Sequence, residues 1–150
     1  MSIYLSQHGR SASRDEDPQR GLTADGAAEV ARVARFMAES GCSVDVIWHS
    51  GKARAVQTAE LFAAAMRPVD GVRQRGDINP LDDVAVLAAV LPENRNEMYV
   101  GHLPFMERMI GYLLLDDPER HPVRFSNGGV LRVDWQADEN RWIITWAAYP

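Results

Sequence analysis

The chain has 150 residues, 46% of them apolar and 25% charged, with a formal net charge of −5 at pH 7. That length suits one ordinary domain with a sizeable core. The acidic balance excludes a general nucleic-acid or anionic-membrane binder, so any bound phosphate must sit in a local basic pocket.

Met1 to His8 carries no basic segment and few apolar residues, so it does not read as a signal peptide. No apolar run approaches the roughly 18 residues that a membrane span needs. Cys42 is the single cysteine, which excludes an intrachain disulfide and points to a reducing compartment, the cytoplasm.

Ile3, Tyr4 and Leu5 predict a buried strand that ends at His8-Gly9, followed by a polar loop from Arg10 to Gly21. Thr23 is a helix N-cap, and Ala27, Val30, Ala31, Ala34 and Met37 follow at helical spacing until Gly41. Val44, Val46, Ile47 and Trp48 make a second strand ending at His49-Ser50-Gly51. A second helix runs from about Ala53 to Ala65, with Val56, Ala59, Leu61 and Phe62 inward. Val72 to Arg75 is a short third strand, and Ala85 to Leu91 a helix closed by Pro92. Met98-Tyr99-Val100 is a strand ending at Gly101-His102, with a helix from about Pro104 to Leu114. The tail reads as two strands, Val130 to Trp135 and Trp142 to Ala147, joined by a turn at Asp138-Glu139-Asn140.

Strands alternating with helices predict an α/β fold: three α/β/α layers, a mostly parallel central sheet and a C-terminal antiparallel hairpin at an edge. Ligands of such folds bind beyond the carboxyl ends of the strands. His8, Ser50 to Arg54, and His102 all fall there. A phosphoryl-transfer site built on histidine needs an imidazole held in one tautomer, with cationic donors around the equatorial oxygens. His8 beside Gly9, Arg54 at a helix start and His102 before another helix have those attributes.

Gln7-His8-Gly9 resembles the Arg-His-Gly signature of the histidine phosphatase (phosphoglycerate-mutase-like) superfamily. Ser50-Gly51-Lys52-Ala53-Arg54-Ala55-Val56-Gln57-Thr58 is similar to its Ser-Pro-x-x-Arg-Ala-x-Gln-Thr element, and Val100-Gly101-His102-Leu103-Pro104 to its third. Arg20-Gly21-Leu22-Thr23 and the His-Leu-Pro form resemble the branch of SixA-type phosphohistidine phosphatases. The resemblance implies one histidine-phosphatase-like domain over residues 1–150, with His8 as the phosphorylated nucleophile. It also implies that Arg54 binds the phosphoryl oxygens and that His102, protonated, stabilises the transition state. The resemblance further implies that Arg20 clamps the phosphate from the loop side. No metal or organic cofactor is implied.

Gln7 departs from the usual arginine; it donates through its amide but brings no charge, and Arg10 is a candidate replacement. Asp77 is the candidate general acid, with Asp82 and Asp83 nearby. His49 and His121 show no metal-ligand spacing and read as packing or solvent residues. Cys42 reads as structural. Asn127-Gly128-Gly129 reads as a turn, not a phosphate cradle, and Trp135, Trp142 and Trp146 as sheet packing. The expected activity is dephosphorylation of phosphohistidine on a signalling or phosphorelay protein by a monomer, with no nucleic-acid or membrane partner. The alternatives are a phosphatase for a small phosphate ester and, because of Gln7, a catalytically weak phosphate- or phosphoprotein-binding module.

Overall fold

Along the first strand, Ile3 and Leu5 face one way and Tyr4 the other, and all are fully buried, so this strand must be covered on both sides. A computed structural model describing residues 1–150 has this arrangement. In chain order the elements are β1 (Ser2–Gln7), α1 (Ala24–Glu39), β2 (Val46–His49), α2 (Ala53–Met66) and β3 (Val72–Gln74). Then follow α3 (Val84–Ala88), β4 (Glu97–Gly101), α4 (Phe105–Leu115), β5 (Val130–Gln136) and β6 (Arg141–Ala148).

The strands form a six-stranded sheet in the order β3-β2-β4-β1-β5-β6. The pairs β2–β3, β2–β4 and β1–β4 are parallel, whereas β5 runs antiparallel to β1 and to β6. The predicted α/β class, mostly parallel sheet and edge hairpin are all present. No helix is long and apolar enough to cross a membrane.

Two cores follow from the strand alternation. Tyr4, Ile47, Met98, Val100 and Val130 pack under α1 and α2 with Val30, Ala34, Met37, Ala59 and Phe62. Ile3, Leu5, Tyr99, Leu131 and Val133 pack under α3 and α4 with Leu87, Phe105, Met109 and Ile110. The sheet is thus the middle of three layers.

Thr23 caps α1 as predicted, its hydroxyl accepting the Gly26 N–H at 3.0 Å. The buried face of α2 is Ala55, Thr58, Ala59 and Phe62, so Val56 and Leu61 flank the contact and do not lead it. The helix expected to run to Leu91 stops at Ala88, because Pro92 disfavours helical backbone before it and Val90 is left exposed. Val44 is buried but precedes β2, and β3 ends one residue before Arg75. Trp135 and Trp142 pack edge to face at 5.5 Å, and Trp146 stacks on Phe36 at 5.9 Å.

Parallel pairing aligns the carboxyl ends of β1, β2 and β4 on one side of the sheet, with β4 in the middle. The chain leaves those ends at His8, Ser50 and His102, residues far apart in sequence but neighbours in space.

Candidate active site

The three strand ends open into a cleft of about 490 Å³ whose wall includes Gln7, His8, Arg10, Arg20, Arg54, His102 and Asn127. The backbone of His8 is held firmly. Its N–H donates to the Gly101 carbonyl at 3.0 Å, which prolongs the β1–β4 ladder by one bond. Its carbonyl accepts from Asn127 Nδ2 at 3.0 Å and from the Gly128 N–H at 3.2 Å.

The side chain is held as well. His8 Nδ1 lies 2.7 Å from the Gly9 carbonyl, an acceptor only, so Nδ1 carries the proton. Nε2 is left with its lone pair, and Arg54 Nε donates to it at 3.2 Å. Burial pulls the His8 pKa down to about 4, aided by the Arg54 and Arg20 charges, although the bond to Gly9 acts the other way. At neutral pH His8 is an uncharged, oriented imidazole.

His102 is 2% exposed, and its ring centroid lies 5.1 Å from that of His8. Its Nε2 is 2.6 Å from Ser50 Oγ. Burial, followed by His8, Arg54, Lys52 and Arg20, pushes its pKa down to about 3. His102 is therefore neutral in the empty cleft, because low dielectric and surrounding cations disfavour a further positive charge there.

Arg54 occupies the second position of α2, whose N-cap Lys52 makes no side-chain cap bond, so the helix N-terminus presents backbone donors beside a guanidinium. Arg20 reaches the same cleft from the loop, in a left-handed backbone conformation with φ of 52°. Gln7 is the last residue of β1. Its Oε1 is buried without a partner.

Arg10 lines the cleft, but its guanidinium is committed to Glu29 at 3.0 and 2.7 Å, so it does not replace the missing arginine at position 7. Asp77 is not brought to the cleft wall. Its two oxygens take Arg75 Nε and Nη2 at 2.8 and 2.7 Å, and this pairing holds its pKa below the usual carboxylate range. An ionised carboxylate fastened to an arginine is poorly suited to donate a proton. No aspartate or glutamate lines the cleft at all.

Other residues belong to the site that residue-type reasoning left out. Thr58 Oγ1 accepts the Gly9 N–H at 2.9 Å and donates to the Arg54 carbonyl at 2.7 Å, tying α2 to the chain beyond His8. Gln57 Oε1 accepts the Leu22 N–H at 2.7 Å and so anchors the loop that carries Arg20. The Gln-Thr end of the second motif is the signal that could have found both. Asn127 had no such signal, since it stands 119 residues from the carbonyl it holds. His49 Nδ1 accepts the Gly51 N–H at 3.0 Å and lies outside the cleft wall. His121 sits 3.6 Å from Glu107.

The family model of the histidine phosphatase superfamily (branch 1) matches residues 3–76, the span that contains His8, Arg20 and Arg54. Over those residues the chain is similar to that superfamily, and its fold is the histidine phosphatase fold. Among solved structures, a histidine phosphatase fold superposes over the whole chain. The protein histidine phosphatase SixA complexed with tungstate has a TM-score of 0.83 and 22% identity, covering 100% of this chain and 97% of that one. A structure from Agrobacterium tumefaciens assigned as the phosphohistidine phosphatase SixA has a TM-score of 0.80 and 28% identity, over 99% and 97% of the two chains. A phosphoserine phosphatase from Entamoeba histolytica, in complex with 3-phosphoglyceric acid, has a TM-score of 0.71 and 18% identity over 99% and 97%. No curated protein matches the sequence significantly.

Proposed function

We propose that this chain is a member of the histidine phosphatase superfamily, a phosphatase that works through a phosphohistidine intermediate on His8, with phosphohistidine on a protein as its substrate. The observation that carries the reading is the state of His8: neutral, with Nδ1–H fixed on the Gly9 carbonyl and the Nε2 lone pair facing Arg54.

A phosphoryl group entering the cleft would draw Arg54 from Nε2 to its own oxygens, because a charged guanidinium binds an anion more strongly than a neutral imidazole. Arg20 and the α2 N-terminus supply further donors to the equatorial oxygens. The freed Nε2 then attacks phosphorus in line. The bond from phosphorus to the leaving nitrogen breaks, and the departing imidazole keeps the electron pair and takes a proton from solvent. In the second step water attacks the phosphorus on His8, the Nε2–P bond breaks, and inorganic phosphate leaves. The water proton goes to solvent or to phosphate, and His8 returns to its neutral form.

The lack of a carboxylic acid on the cleft wall favours an N-phosphorylated substrate over an ester. An alkoxide needs a proton as it leaves, and general acid catalysis is worth about 10²–10⁴-fold. Imidazole leaves with far less help. The likeness to the SixA phosphatases supports the same substrate class. On this reading residues 1–150 act as one domain, as a monomer in the cytoplasm, and every step uses protein side chains.

The test is continuous measurement of phosphate release from a phosphohistidine protein by wild type, His8→Ala and Gln7→Arg. Release that vanishes in His8→Ala supports the proposal, and a faster Gln7→Arg shows that the uncharged amide costs rate. Wild type that binds phosphate but releases none would make the protein a phosphate- or phosphoprotein-binding module.

A further inference from the structure

The His102 ring has one hydrogen-bond partner, and that partner is Ser50. Ser50 is buried, and its Oγ lies 2.6 Å from His102 Nε2. The other ring nitrogen, Nδ1, is buried with no partner in either tautomer. Orientation of the ring, and the proton on its Nε2 side, therefore depend on a single hydroxyl.

The backbone makes this bond possible. Ser50 follows the end of β2 and His102 the end of β4, and the two strands are parallel neighbours, so the bond links adjacent strand ends. After Ser50 the chain reverses into α2 through Gly51, whose φ of 90° is in the region that favours glycine. A Cβ there would also lie 2.6 Å from Gln74 Nε2.

A serine hydroxyl has one proton to donate and lone pairs to accept with, and it exchanges these roles by rotating about one bond. Opposite a neutral Nε2 it donates. Opposite an Nε2–H it accepts. No movement of the imidazole is needed for the exchange.

We infer that Ser50 is a positioning residue that lets His102 take up a proton in place when an anionic phosphoryl group enters the cleft, by turning its hydroxyl from donor to acceptor. The inference rests on the phosphatase reading for its use in turnover, but the binding step that it describes stands apart from turnover. In the empty cleft burial, together with the charges of Arg54, Lys52 and Arg20, keeps His102 neutral beside an uncharged His8. A bound dianion offsets those cations and supplies the negative charge that favours an imidazolium. The proton comes from solvent, and the ion binds as the anion–imidazolium pair.

The experiment is calorimetric titration of the protein with inorganic phosphate at pH 7 in buffers of different ionisation enthalpy, which counts protons taken up per ion bound. Wild type should take up a substantial fraction of one proton. Ser50→Ala should take up clearly less and bind phosphate roughly ten- to a hundredfold more weakly, the usual worth of a hydrogen bond to a charged group. Ser50→Thr, which keeps the hydroxyl, should restore both. Equal uptake and affinity in wild type and Ser50→Ala would overturn the inference.

Nitrogen-15 spectra of wild type guard against a Ser50→Ala that fails to fold. With phosphate bound, His102 Nε2 should carry a proton, and an Nε2 that stays unprotonated in the complex would equally overturn the idea. Because these readouts need no turnover, an inactive wild type that still takes up the proton sinks the phosphatase reading and leaves the Ser50 inference standing.

Discussion

Arg54 Nε donates to His8 Nε2 from 3.2 Å, so the cation suited to hold a phosphoryl oxygen rests on the lone pair suited to attack phosphorus. In the empty cleft these two groups satisfy each other, and only an anion can separate them at low cost. Arg54→Lys should keep the charge but lose the planar fork, and phosphate release should fall on the order of a hundredfold. Single-turnover assays on a phosphohistidine protein would check this, and a loss of less than a few-fold would remove Arg54 from the transition state.

The depressed pKa of His8 gives a pH prediction in two parts. The ring should titrate near pH 4 and not near 6.5 in proton NMR of the empty protein, and inorganic phosphate should raise that midpoint. Stability follows with a definite sign. Above pH 6.5 both folded and unfolded rings are neutral; below it the unfolded chain takes a proton that the folded site refuses until about pH 4. Stability contributed by this site is thus complete above pH 6.5 and lost as pH falls toward 4, on the order of 3 kcal/mol for His8. Thermal unfolding across that range should show it, and His8→Asn should flatten the curve; an unchanged slope in the variant would contradict the assignment.

Asp77→Asn should behave as a change in a partly exposed ion pair. Loss of the Arg75 pairing should cost about 1 kcal/mol, a fall of a few degrees in melting temperature, while the rate on phosphohistidine stays within about twofold. A tenfold loss of rate at full folding would restore Asp77 as a proton donor.

Gly26 packs α1 against the chain just beyond His8. A Cβ there would stand 2.2 Å from the Arg10 carbonyl oxygen, a backbone atom that cannot turn aside. Gly26→Ala should therefore destabilise the protein by about 2 kcal/mol or more and disturb the turn that carries Gly9 and Arg10. Denaturant unfolding combined with phosphate affinity would measure both effects. Gly111→Ala, where the Cβ would meet the Arg120 carbonyl at 2.0 Å on the far helix, should lower stability without changing affinity.

Much of the fold was legible because its signals are local. The continuous apolar run of β1, the Thr23 cap and the 3.6-residue spacing of α1 depend on neighbours in the chain, and each element formed where its pattern stood. Helix ends were less legible where a proline several residues away competes with helical spacing, as between Ala88 and Pro92. His8, Arg54 and His102 could be placed together in advance because the two histidines follow strand ends and Arg54 opens the helix after a third, and parallel strands bring such ends together.

What the chain alone determined, then, was which residues would meet: a histidine, an arginine and a second histidine, carried to one edge of the sheet by βα order. Only the tertiary structure decided their states. His102 is uncharged in the empty cleft because burial and the charges of Arg54, Lys52 and Arg20 oppose a cation, a sum over space that no spacing in sequence encodes. Arg10 turned to Glu29, and Asp77 to Arg75, because side-chain direction is set by packing after the backbone is placed. Ser50 and Asn127 entered the site through hydrogen bonds across 52 and 119 residues, and such bonds exist only once the sheet has closed the distance.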